Sequence, residues 1–331
     1  MKILFTSVGR RVELVQCFRY AAKKLNLSLT VIGVDISDSA PALFFCDIAK
    51  KIVRINDAQY IPQLLEICKK DMVDCLIPTI DTDLLLLAEN KTLFETVGTK
   101  VLISKAEKIK LCRDKKITSN YFISLGLNAP IAVEAVERYN SGYPAFIKPK
   151  DGSSSINAYK VTNEEELKVY AKKIGNYVIQ PFIAGKEYTI DIFCDYEGNP
   201  VYITPRERLV VRSGEVLKTR ICQDNKMISE MKILIEDYRP CGQITVQLIQ
   251  DEITGKNYYI EINPRFGGGA PLSIKAGADS AMAIIRMLQG ETLQYQEKAA
   301  RHGAIYSRFD QSICVDKEYR NVSGSNDDYN R

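Results

Sequence analysis

The sequence predicts an α/β unit with a parallel sheet, followed by an α+β unit built on antiparallel sheet. Three observations carry this reading. Residues 3–103 alternate apolar runs with amphipathic stretches, as parallel strands covered on both faces require. From Ser104 onward, strand-and-turn runs dominate and helices are occasional. Late in the chain, Gln247 and the run Glu261-Ile262-Asn263-Pro264-Arg265 set oxygen-bearing side chains on two strands that a turn folds together.

In the first unit, 3–7 reads as a strand, 12–25 as a helix and 29–34 as a strand. A short strand is expected over 52–55, a helix over 58–70 and a strand over 73–78. A helix over 82–90 and a strand over 100–103 close the unit. Such a sheet opens its crevice at the carboxyl ends of its strands. Three polar clusters fall there: Ser7-Val8-Gly9-Arg10-Arg11, Asp35-Ile36-Ser37-Asp38 and Thr79-Ile80-Asp81-Thr82-Asp83. The first is a one-glycine turn, not Gly-x-Gly-x-x-Gly, which argues against dinucleotide binding and an oxidoreductase. Asp35 and Asp81 suit either helix capping or ligand contact.

Helices are expected over 105–111 and 114–125, then strands over 145–148, 159–161, 177–180, 188–194 and 200–211. Helices over 164–174 and 226–237 interrupt them. Residues 244–249 and 258–260 read as a hairpin around Thr254-Gly255-Lys256-Asn257. The polar tail 321–331 is expected to be disordered.

Composition narrows the function classes. A net charge of +4, from 45 basic and 41 acidic residues among 331, is too balanced to suggest nucleic-acid binding. Nine cysteines with no Cys-x-x-Cys pair read as reduced, buried thiols. The only histidine, His302, cannot build a zinc cluster. No run approaches a membrane span, and the opening residues do not form a signal peptide, so a cytoplasmic location is expected.

The chemistry begins with oxygen. Glu261 and Asn263 lie two apart and share a strand face, and the hairpin brings Gln247 beside them. Three hard oxygen ligands suit Mg2+, which takes its remaining ligands from water and phosphates. Arg265, just beyond, is placed to hold a phosphoryl group. Lys148 follows four apolar residues in Pro144-Ala145-Phe146-Ile147-Lys148-Pro149, so its half-buried ammonium calls for an anion. It feeds Asp151-Gly152-Ser153-Ser154-Ser155, either a phosphate cradle or a plain hairpin tip. Lys115 opens a helix, where a cation opposes the helix dipole; a nearby anion would relieve this, although charged helix starts are common. Pro181 is expected to end a strand ladder, leaving Phe182-Ile183 as an apolar linker with free backbone groups for a flat base. Glu187 is either a ribose contact or a surface carboxylate. Arg206 and Arg208 alternate on one strand face, as do Lys218 and Arg220. With Arg212 they suit an anionic substrate, or a solvated edge guarded by charge.

The order of these pieces resembles the ATP-grasp enzymes, most closely the carbamoyl-phosphate-synthase-large-subunit-like members, over about residues 1–290. The resemblance implies a Rossmann-like, substrate-facing domain over 1–103 and a two-part ATP-grasp domain. The lid part and linker would take 104–188 and the C-terminal part 189–320. It implies ATP and Mg2+ as cofactors, with Mn2+ as the alternative ion. Lys115 and Lys148 match the family's ATP lysines, and Gly152, Ser153, Ser154 and Ser155 its phosphate-covering loop. Phe182 and Ile183 match the adenine linker and Glu187 the ribose carboxylate. Gln180 stands where many members carry a carboxylate; an amide still offers adenine a donor and an acceptor. Gln247, Glu261 and Asn263 match the metal ligands. Arg265, Lys148 and Arg206 are the catalytic candidates.

The implied reaction joins a small-molecule carboxylate to an amine through an acyl phosphate, releasing ADP and phosphate. The resemblance covers a single grasp unit, so carbamoyl phosphate synthesis itself is not expected. A homodimer is expected by resemblance, with no nucleic-acid or membrane partner. The alternative is a non-catalytic ATP-binding regulatory protein of the same fold, which would have no need of all three metal ligands.

Overall fold

A computed structural model describes residues 1–151 and 157–315. Gly152, Ser153, Ser154, Ser155 and the tail 321–331 lie outside the described residues.

Strands β1 (Lys2–Thr6), β2 (Thr30–Asp35), β3 (Ile48–Lys51), β4 (Cys75–Pro78) and β5 (Lys100–Val101) form a parallel sheet in the order β3-β2-β1-β4-β5. Alternation sends Ile3 and Phe5 toward helix α1 (Val12–Lys24), and Leu4 to the opposite core. That second core is covered by α2 (Tyr60–Asp71), α3 (Leu84–Glu89) and α4 (Lys91–Thr96). Both faces are buried, which is why the central strands are apolar throughout.

The expected strand over 52–55 is corrected to 48–51. Ile48 to Lys51 pair with β2 in alternating half-buried and exposed positions, as an edge strand permits. The chain leaves the sheet after Ile52, and the Val53 N–H turns to Gln63 Oε1. The helix expected over 82–90 starts two residues later, because Asp83 turns inward to accept from Thr6 Oγ1 at 2.7 Å and Tyr60 Oη at 3.1 Å.

Helices α5 (Ala106–Arg113) and α6 (Lys115–Ser124) lead to a small antiparallel sheet. It comprises β6 (Ala145–Pro149), β7 (Tyr159–Val161) and β8 (Tyr177–Pro181) in the order β7-β6-β8, backed by α7 (Glu164–Ile174). Its core is Ala145, Ile147, Val161, Leu167, Ala171 and Ile179. Pro181 is the last paired residue of β8, opposite Ala145, where a missing N–H is tolerated.

The largest sheet holds β9 (Gly185–Cys194), β10 (Pro200–Arg212), β11 (Glu215–Ile221), β12 (Gly242–Asp251), β13 (Asn257–Asn263) and β14 (Ile305–Ser307). Its order is β13-β12-β9-β10-β11-β14, antiparallel throughout. One face is apolar, with Tyr188, Ile190, Ile192, Ile244 and Val246 packed against α8 (Asn225–Tyr238). The other face is divided. At one end Phe193 and Tyr202 join α1, α9 (Ala270–Ala276) and α10 (Ser280–Leu288) in the core shared with the parallel sheet. The rest of that face is polar and carries the site.

Candidate active site

The antiparallel register builds the site row by row. Gln247 lies directly opposite Glu261 on one side and Thr189 on the other, and Thr189 lies opposite Arg206. The adjacent row runs Asn263, Thr245, Asp191, Thr204. Directly paired residues share a face, at about 4.8 Å per strand. Oxygen donors therefore occupy the β12–β13 side, and guanidinium groups enter from β10.

Simple alternation would put Tyr259 on this polar face with Glu261. A β-bulge prevents it. Gln247 pairs with Glu261 but Leu248 pairs with Tyr259, so Ile260 is an extra residue in β13. Tyr259 is consequently fully buried in the opposite core, stacked on Phe122 at 5.2 Å. Its hydroxyl donates to Glu230 Oε2 at 2.7 Å. Asn263 Nδ2 donates to Glu261 Oε1 at 2.9 Å, which holds the two metal-candidate side chains together.

Lys148 reaches this end from β6 and is only 6% exposed. Burial lowers its pKa to about 8, with Lys115 lowering it further and Glu261 opposing. Lys115 is also shifted down by burial, opposed first by Glu261. Both lysines therefore sit close enough to Glu261 to feel its charge. The Lys115 N–H donates to Lys150 O at 3.2 Å, tying α6 to the end of β6. Around that tie, Glu134 accepts from Lys116 at 2.6 Å and pairs with Lys150 at 2.5 Å, and Lys150 also pairs with Asp114 at 3.1 Å. The hydrogen bonds from Lys116 and Lys150 hold the Glu134 carboxyl down near 2.

The linker 182–184 runs between β8 and β9. The Phe182 N–H donates to Pro144 O and Ala184 O accepts from Glu252 N. No hydrogen bond engages the Ile183 backbone among the described residues. Gln180 is 3% exposed, and its Nε2 donates to Pro130 O at 3.0 Å. Its amide is thus turned into the fold. Glu187 accepts from Arg208 Nε at 3.1 Å and is half-exposed.

The expected arginine cluster divides. Arg206 and Arg208 share the polar face, but Arg220 lies opposite Glu207 on the other face and pairs with it at 3.6 Å. Arg212 pairs with Asp310 at 3.3 Å on the surface. The period-2 rule fails to collect these residues because the register of β10 with β11 puts odd positions of one opposite even positions of the other, and shifts at Val210. Arg206 is the deepest, 2% exposed, with Nε donating to Asp191 Oδ2 at 2.8 Å. Ser273 and Thr245 hydroxyls also donate to Asp191, at 2.6 and 3.2 Å. Arg206 Nη1 is buried with no partner among the described residues. Asp191 was not anticipated, although Thr189-x-Asp191 alternating inside an apolar strand is its signal.

The parallel sheet closes the site from above. Arg265 Nη2 pairs with Asp81, Nη1 donates to Phe266 O at 3.1 Å, and Nε is buried without a partner among the described residues. Asp81 is thereby a ligand of Arg265 and caps no helix. The two Asp35 oxygens accept from Gly9 N at 2.9 Å and Ser37 N at 3.0 Å, which fixes the turn after β1. Arg11, carried by that turn, donates to Thr79 O at 3.2 Å. Burial first, and then the charge of Arg265, lower its pKa to about 10.

A family model of the ATP-grasp domain matches residues 112–269, and one of the PylC-like N-terminal domain matches residues 3–102. Over those residues the chain carries an ATP-grasp domain preceded by a PylC-like N-terminal domain. Carbamoyl phosphate synthase large chains of Thermotoga neapolitana and Thermotoga maritima are 26% and 25% identical to it over 257 and 256 residues. Those stretches are 67% of this chain, which spans only 23% of the length of those relatives. N5-carboxyaminoimidazole synthetase from Staphylococcus aureus, complexed with ADP, has the same fold. The TM-score is 0.71 at 18% identity, covering 89% of this chain and 78% of that one. The biotin carboxylase domain of Hydrogenobacter thermophilus 2-oxoglutarate carboxylase, solved with MgADP and bicarbonate, has a TM-score of 0.69 at 18% identity. That match covers 92% of this chain and 73% of the domain. No helix among the described residues is long and apolar enough to cross a membrane.

Proposed function

We propose that the chain is an ADP-forming carboxylate–amine ligase using ATP and Mg2+. The observation that carries the reading is the convergence of Gln247, Glu261 and Asn263 on one face, with Lys115 and Lys148 close enough to sense Glu261. That donor set, one carboxylate and two amides beside two lysines, fits Mg2+ shared with phosphates. Bound there, the ion would neutralise charge on the β and γ phosphates.

The protein's own part is positioning and electrostatics. Lys115 and Lys148 hold the phosphates, the Ile183 backbone reads adenine and Glu187 takes the ribose. Arg265 aligns the γ phosphoryl group and Arg206 the acid. A carboxylate oxygen attacks the γ phosphorus, the bond to ADP breaks, and an acyl phosphate forms. An amine then attacks the acyl carbon and loses a proton as phosphate departs, leaving an amide. Gly152, Ser153, Ser154 and Ser155 would cover the phosphates. The units 1–103, 104–188 and 189–320 correspond to the substrate-facing, lid and metal-bearing parts.

The test is release of ADP and phosphate from Mg-ATP across a panel of amino acids, amino sugars and small carboxylates. Wild type and Glu261→Gln are compared. Acid-dependent ADP release, lost in the variant, is the expected result. AMP and pyrophosphate as products, or no nucleotide binding, would overturn the proposal.

A further inference from the structure

The turn Gly267-Gly268-Gly269 lies where the parallel sheet meets the polar face, and each glycine is pressed against a site side chain. A Cβ on Gly267 would lie 3.0 Å from Thr245 Oγ1. On Gly268 it would lie 3.2 Å from Arg11 Nη1, and on Gly269 2.6 Å from Arg206 Nη2. The Arg11 and Arg206 heads thus flank consecutive residues of one turn. Arg265 enters the same turn through its bond to Phe266 O.

Two of these guanidiniums have unused donors. Arg206 Nη1 and Arg265 Nε are buried without a partner among the described residues. The Arg11 side chain donates through Nη2 to Thr79 O, and its Nη1 lies beside Gly268, where Glu215 also approaches. Two buried N–H groups left unbonded cost free energy, and three guanidiniums around one turn favour an added anion. The neighbouring carboxylates are shared: Asp191 pairs with Arg206, Asp81 with Arg265, and Glu215 with Arg308 at 3.2 Å, while the charges of Glu215 and Asp81 also reach Arg11. The turn that carries Arg11 is held rigid, with Ser7 at φ 48° and Gly9 at φ 46°. Thr79 Oγ1 donates to the Thr6 and Ser7 carbonyls at 2.9 and 2.8 Å, and Asp35 holds the Gly9 N–H. Of the two positive-φ residues only Ser7 is strained, since glycine adopts positive φ freely; the bonds from two neighbouring strand ends fix where the turn delivers Arg11.

We propose that Arg11 is a third oxyanion-binding guanidinium of the acid site, acting with Arg206 and Arg265 across the glycine turn. This rests on the ligase reading and extends it: the parallel sheet supplies a charge to the reacting groups as well as a wall. The ligand is a small oxyanion, the acid's carboxylate before transfer and phosphate after it.

The probe is inorganic phosphate, titrated calorimetrically into the full chain saturated with Mg-ADP. Wild type should bind it, and Arg11→Gln should weaken binding at least tenfold. Arg11→Lys, which keeps the charge but loses the planar fork, should fall between them. Arg10→Gln is the control, because the Arg10 side chain is 82% exposed and, among the described residues, pairs only with Asp310. It should bind phosphate as wild type does. Mg-ADP affinity should stay within twofold in all variants. Equal weakening by Arg10→Gln and Arg11→Gln would reduce the effect to long-range charge and overturn the proposal. So would unchanged binding in Arg11→Gln, or phosphate failing to bind a wild type that binds Mg-ADP. If wild type does not bind Mg-ADP, the ligase reading fails instead. Should Arg11→Gln not fold, Arg11→Lys decides the matter by the same comparison.

Discussion

Lys148 makes nucleotide affinity depend on pH in a range where the phosphates themselves no longer titrate. Its ammonium is 6% exposed, and burial brings its pKa down to about 8. The charged form binds phosphate, so affinity is highest below that pKa and is lost as pH rises through it. With a pKa of about 8, the protonated fraction falls about tenfold between about pH 7 and about pH 9, or about 1.4 kcal/mol of binding free energy. ADP titrations in a chelating buffer would read this directly, with no ion beside Glu261 to alter the lysine. The dissociation constant should rise about tenfold across that interval. Lys148→Arg should flatten most of the slope, because arginine stays charged throughout. Lys115, shifted the same way, accounts for what remains. A wild-type constant that changes less than about twofold, alongside weak binding by Lys148→Met, would refute the reasoning. The ammonium would then touch nucleotide without titrating.

Three further outcomes follow from the geometry. Asp83 is buried, its Oδ1 has no partner among the described residues, and burial raises its carboxyl from 3.8 to about 6. The resulting penalty is absent below the ordinary carboxylate range, grows as pH rises through about 6 and is complete above it. Asp83→Asn should therefore gain up to about 3 kcal/mol at neutral pH and nothing near pH 4, read from urea midpoints; a pH-independent difference would refute this. A Cβ on Gly185 would lie 2.0 Å from Gln250 O, so Gly185→Ala should cost about 1–3 kcal/mol and weaken ADP binding by parting β9 from β12 beside the linker. Asp191→Asn or Arg206→Met alone should cost about 3–5 kcal/mol, and the double variant less than their sum in a denaturation cycle.

The sequence exposed what local periodicity controls. Continuous apolar runs revealed the central strands of the parallel sheet, while β3 was placed one run late because an edge strand needs only alternate apolar residues. Glu261 and Asn263 were legible as a same-face pair, and Gln247 as their hairpin partner. The bulge at Ile260 was not, since it depends on how two strands meet. Cross-strand register also decided the arginines: spacing grouped Arg206 with Arg220, and pairing separated them. Arg11 and Asp81 were visible as polar residues at strand ends. Their approach to Gly268 and Arg265 arises only when the two sheets pack.

The extra residue in β13 also bears on how such a protein can change. Because Ile260 interrupts the alternation, Tyr259 answers to the interior packing while Glu261 and Asn263 answer to the ligand. Substitutions that remodel the Tyr259–Phe122 stack can be absorbed without rotating the oxygen pair out of place. Removing Ile260 would leave Tyr259 and Glu261 consecutive opposite Leu248 and Gln247, so regular alternation would keep them on opposite faces. A single-residue deletion there should impair nucleotide-dependent chemistry less than deletion of Ile262, which would part Glu261 from Asn263 onto opposite faces.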